Sequence, residues 1–97
     1  VNRDEAISTL RAHADELRAV GVDRLFLFGS VARNEAGSTS DVDLFFETDN
    51  PRFSLIDLVD AQERIGEILA APSDVMTAAS LHPMLRPQIE AEALRVF

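Results

Sequence analysis

The chain has 97 residues, room for a single small domain over 1–97, and 46% of them are hydrophobic, enough to build a core. Seventeen acids face nine bases, all of them arginine; the formal net charge of −8 argues against direct nucleic-acid binding and suits a basic partner or simple solubility. There is no cysteine, which excludes disulfides and thiolate zinc sites, and no apolar run approaches a membrane span; with no signal-peptide pattern, a cytoplasmic protein is expected.

Residues 3–19 are predicted to form a helix. Asn2 can cap it, and Glu5 stands at the matching capping-box position. Ala6, Leu10, Ala14 and Leu17 make an apolar stripe with Ile7 beside it, and Gly21 suits the C-terminal stop. His13 falls among polar positions and reads as a surface histidine. Residues 24–28 and 42–48 are short apolar runs bounded by turn residues, which predicts two buried strands, antiparallel or at least adjacent. Between them lie Gly29-Ser30, a short helix begun by Val31-Ala32-Arg33, and a polar loop from Asn34 to Ser40.

After the turn cluster Thr48–Pro51, residues 54–70 predict a second long helix, with Ser54 and Asp57 as a capping-box pair. Leu55, Leu58, Val59, Gln62, Ile65 and Leu69 mark its expected inner side. Pro72 breaks it, and residues 73–77 form a third strand candidate. A last helix is predicted over 87–94, preceded by one turn from His82, with Ile89 and Leu94 turned inward; Val96-Phe97 is an apolar tail that docks on the body or on a partner.

Chemistry concentrates in Phe28–Phe46. Residues two apart on a strand share a face, so Asp41 and Asp43 would lie side by side. Two such charges favour a cation between them, and oxygen ligands suit Mg²⁺. Gly29 lets an anion approach the backbone, Ser30 can cap the following helix and donate to a phosphate, and Arg33 would add a charged donor one turn on. Asp74 taken alone reads as a turn residue after Pro-Ser; in a central strand its carboxylate would be costly to bury unpartnered. Asp41 and Asp43 taken alone read as a solvated strand entry. An EF-hand loop is excluded, because Phe45-Phe46 follow where glycine and a later glutamate would be needed.

Gly29-Ser30, ten intervening residues and Asp41-Val42-Asp43 resemble the GSx10DxD signature of the DNA polymerase beta-like nucleotidyltransferase superfamily. The wording GSVAR…SDVDL is similar to its minimal nucleotidyltransferase branch, which includes antitoxins paired with HEPN-domain RNase toxins. The resemblance covers nearly the whole chain. It implies an α/β (α+β type) fold with a small mixed sheet of three or more strands and helices packed on it. It implies Mg²⁺-dependent transfer of AMP from ATP to a tyrosine hydroxyl of a HEPN toxin, with Asp41, Asp43 and Asp74 as catalytic metal ligands. Gly29, Ser30, Arg33 and Ser40 are the implied nucleotide-binding residues. Asn34 departs from the pattern, where many relatives have glycine, but tolerates the left-handed conformation. Two other readings remain: a non-catalytic antitoxin that neutralises a partner by occlusion, and a small-molecule nucleotidyltransferase of the antibiotic-modifying type.

Overall fold

The computed structural model describes residues 1–35 and 41–97. Helix α1 (Arg3–Ala12) opens on the Asn2 cap, whose side chain accepts from the Glu5 N–H, and α2 (Ala14–Ala19) follows. The predicted single helix is thus divided at His13. There the imidazole Nδ1 donates to the Thr9 carbonyl at 2.9 Å, while the His13 N–H turns to the Leu10 carbonyl at 3.1 Å. A side chain has taken the i−4 acceptor that the backbone would have used, and the helix tightens and bends. Gly21, at φ 98°, ends α2 in a Schellman arrangement, with the Val22 N–H donating to the Leu17 carbonyl at 3.0 Å.

Four strands follow: β1 (Arg24–Phe28), β2 (Val42–Glu47), β3 (Ser73–Thr77) and β4 (Leu94–Arg95). They form one mixed sheet in the order β3-β2-β1-β4. β1 pairs antiparallel with both β2 and β4, while β2 and β3 are parallel. A parallel pair needs a crossover, and α4 (Leu55–Leu69) supplies it. One-turn α3 (Gly29–Ala32) follows β1, and α5 (Arg86–Glu92) precedes β4.

The sheet buries both faces unequally. Leu25, Leu27, Val42, Leu44, Phe46 and Val75 share the main core with Ala6, Leu10 and Leu17 of the first two helices and Ala61, Ile65 and Leu69 of α4. The alternate positions Phe26, Phe28, Phe45 and Met76 form a second cluster with Ala78, Leu81, Ile89 and Ala93. Phe26 and Phe45 stack there with centroids 4.9 Å apart. Asp43 and Asp74 belong to this second face by strand alternation.

Three expectations change. α4 is rotated from its expected setting: Ala61 faces the core, and Leu55, Ile56 and Val59 are exposed. That setting lets the Gln62 amide donate to the Val75 carbonyl at 2.9 Å. The last helix stops at Glu92, and Leu94 does not pack inward but lies exposed on β4. The tail docks on the body instead, as the Val96 N–H donates to the Leu25 carbonyl at 2.8 Å and Val96 is buried. Finally, β3 is an edge strand and Asp74 is exposed, so its carboxylate bears no burial cost.

Candidate active site

β1 delivers the chain to Gly29 and Ser30, and β2 returns it past Phe28, which is paired with Asp43. On its other side Asp43 is in register with Asp74 of β3. Neighbouring strands stand about 4.8 Å apart, so both carboxylates rise from adjacent positions on one face. Asp41 precedes the first residue of β2 and is exposed. The three acids therefore converge at the end of the sheet where β1 stops and β2 and β3 start.

Their proximity is felt electrostatically. Burial pushes the Asp43 carboxyl up from its ordinary range; the negative charges of Asp74 and then Asp41 push it further, and Arg33 opposes them. Among the described residues no three His, Cys, Asp or Glu side chains are already gathered tightly enough to cage a metal ion. Mg²⁺ does not require such a cage: it keeps several waters and takes one or two carboxylates together with substrate phosphates. The Asp43–Asp74 pair, with Asp41 alongside, fits that mode of binding.

Gly29 has a role beyond the one inferred from sequence. Its φ is 76°, in the left-handed region, and a Cβ there would overlap the Asp43 carboxylate and approach the Asp43 Cβ at 3.2 Å. Glycine thus lets Asp43 lie directly over the β1–α3 junction. α3 begins at Gly29, one residue before the expected cap, so Ser30 stands inside its first turn and does not cap it; the N-cap is Phe28, without a side-chain hydrogen bond. The first N–H groups of the turn lack intrahelical acceptors, which leaves them free for an anion. Asn34 takes up φ 61°, the left-handed conformation its side chain tolerates.

Arg33 is turned towards carboxylates. Its Nε donates to Glu35 at 3.1 Å and its Nη1 to Glu92 of α5 at 3.2 Å. The Glu35 hydrogen bond, ahead of the other contributions, raises its pKa. These contacts are exposed to solvent and readily exchanged for a phosphate. Glu92 is not identifiable from sequence, since nothing local links it to Arg33. Ser40, one of the implied nucleotide-binding residues, lies outside the described residues.

Comparison with known proteins agrees with this architecture. The nucleotidyltransferase domain family matches residues 8–96. A Methanocaldococcus jannaschii protein provisionally named protein adenylyltransferase MJ0435 is 43% identical over 78% of this chain and 81% of its own. Protein adenylyltransferase MntA of Thermococcus cleftensis is 31% identical over 96% of this chain and 94% of its own. A solved structure provisionally described as a minimal nucleotidyltransferase superposes with TM-score 0.72 at 33% identity, covering 91% of this chain and 93% of its own. Two more distant structures share the fold. A toxin–antitoxin complex with AMP-PNP has TM-score 0.69 at 18% identity, covering 100% of this chain and 73% of its own. A tri-AMPylated Shewanella oneidensis HEPN toxin with its MNT antitoxin has TM-score 0.66 at 14% identity, covering 98% and 71%. No helix among the described residues is long and apolar enough to cross a membrane. By sequence and by fold, this chain belongs to the nucleotidyltransferase domain family, as one of its minimal nucleotidyltransferases.

Proposed function

We propose that this protein, acting as one minimal nucleotidyltransferase domain, transfers AMP from ATP to a tyrosine hydroxyl of a cognate HEPN toxin and so serves as its antitoxin. The observation that carries this reading is the register of Asp43 with Asp74, directly beside Gly29. The relatives named as protein adenylyltransferases and the toxin–antitoxin complexes of the same fold support the choice of acceptor. Use of ATP makes the cytoplasm the site of action.

In this reading the acceptor oxygen bonds to the α-phosphorus of ATP, the bond to the bridging oxygen breaks, and pyrophosphate leaves. Asp41, Asp43 and Asp74 would hold Mg²⁺, which when bound supplies positive charge against the triphosphate and the attacking oxygen. Asp74, the most open of the strand carboxylates, accepts the proton of the acceptor hydroxyl. Gly29 and Ser30, with Ser40, orient the outgoing phosphates, and Arg33 leaves Glu35 and Glu92 to neutralise charge there.

The test is label transfer from ATP to a purified HEPN protein in the presence of Mg²⁺. Wild type should label it, and Asp41→Asn/Asp43→Asn should stay folded, label nothing and fail to rescue cells expressing the toxin. Rescue by the folded double variant, with no modified toxin in the mass spectrum, would overturn AMP transfer and leave neutralisation by occlusion.

A further inference from the structure

Helix α4 carries more apolar surface than the fold uses. Its inner side is occupied: Ala61, Ile65 and Leu69 are buried, and Leu58 and Ile68 pack against the same core. Away from that side Leu55 is 76% exposed, Ile56 75% and Val59 43%. Val59 lies four residues from Leu55 and three from Ile56, so the three form one contiguous patch. An amphipathic surface helix needs one apolar stripe; this helix has a second, unpartnered one.

The patch is held on a firm frame. Ser54 and Asp57 close a full capping box around the first turn, with the Ser54 N–H donating to Asp57 at 2.8 Å. Just beyond the patch, the Gln62 amide occupies the Val75 carbonyl of edge strand β3. That takes up one backbone acceptor of the neighbouring edge, while the patch itself offers only side chains, so contact with it is by side-chain packing.

Charge selects the occupant. Asp60, Glu63 and Glu67 are exposed and continue the same helix, and among the described residues none of them forms an ion pair within 4.0 Å. A second copy would bring the same three acids and a net charge of −8 to this face, setting like charges against one another. We infer that the outer face of α4 docks an amphipathic helix of a different protein, one whose apolar stripe is flanked by arginine or lysine. This surface is separate from the acids at the sheet end, and the inference stands whether or not the chain transfers AMP.

The test uses two synthetic helical peptides with the same leucine stripe, one flanked by lysine and arginine, the other by glutamate. Each is titrated by fluorescence anisotropy at physiological salt against the full chain. The Leu55→Gln/Ile56→Gln/Val59→Gln variant should fold normally, since glutamine is a good helix former at exposed positions, and circular dichroism checks this. The basic peptide should bind wild type, and its affinity should fall about tenfold or more in that variant and in Asp60→Asn/Glu63→Gln/Glu67→Gln. The acidic peptide should not bind, and Asp41→Asn/Asp43→Asn should bind the basic peptide as wild type does. Undiminished binding in the apolar variant, equal binding of the two peptides, or no binding of either overturns the proposal. So does a wild-type dimer in sedimentation that the apolar variant abolishes, which would make a second copy the occupant.

Discussion

Replacing Gly29 by alanine perturbs two things at once. An L-residue at the observed φ of 76° costs about 1–2 kcal/mol, because its Cβ crowds the backbone. The same Cβ meets the Asp43 carboxylate and lies 3.2 Å from the Asp43 Cβ, so the carboxylate must move; overpacking of this kind costs about 1–3 kcal/mol. Together these amount to about 2–5 kcal/mol, or roughly 8–40 °C in Tm for a domain of this size. Urea and thermal denaturation followed by circular dichroism measure the loss. The carboxylate's share is isolated by a cycle with Asp43→Ala, which removes the oxygens and keeps the Cβ. In that background the Gly29→Ala penalty should shrink by about 1 kcal/mol or more, leaving the backbone strain and the residual Cβ contact. A Gly29→Ala variant within about 0.5 kcal/mol of wild type, or a cycle with no coupling, would refute the view that this glycine exists to admit Asp43.

Two further outcomes follow from the geometry. Because burial, Asp74 and Asp41 raise the Asp43 pKa, the folded chain holds that proton more tightly than the unfolded one. This contribution to stability is fully present below the unfolded carboxylate pKa of about 4 and is lost as pH rises through the higher folded value. Asp43→Asn should therefore raise the metal-free Tm at pH 7, with the advantage closing below about pH 4, as read by thermal melts across pH. The Arg11 Nε donates to the Val96 carbonyl at 2.6 Å and pins the C-terminal tail against α1. Arg11→Ala should cost about 1 kcal/mol and speed exchange of the Val96 amide about fivefold or more, measured by hydrogen–deuterium exchange.

Much of the molecule can be read along the chain. The apolar runs at 24–28 and 42–48, the capping pairs Asn2–Glu5 and Ser54–Asp57, and the stop at Gly21 are local signals, and local hydrogen bonding and rotamer preference are enough to realise them. The spacing from Gly29-Ser30 to Asp41-Val42-Asp43 is equally local, which is why the candidate site is legible in the amino-acid sequence. What the chain cannot announce depends on contacts between distant segments. The parallel register that sets Asp43 beside Asp74 exists only once α4 has carried the chain back across the sheet. The return of Leu94–Arg95 to β1 makes a strand of a two-residue segment whose own propensity favours none, because the unpaired edge of β1 supplies the partners. Periodicity places Leu55 and Val59 on the wrong side of α4, because a helix with apolar residues on two sides can present either. Which side turns inward is decided by Ala61, small enough to face the core, and by the Val75 carbonyl, which takes the Gln62 amide as its donor.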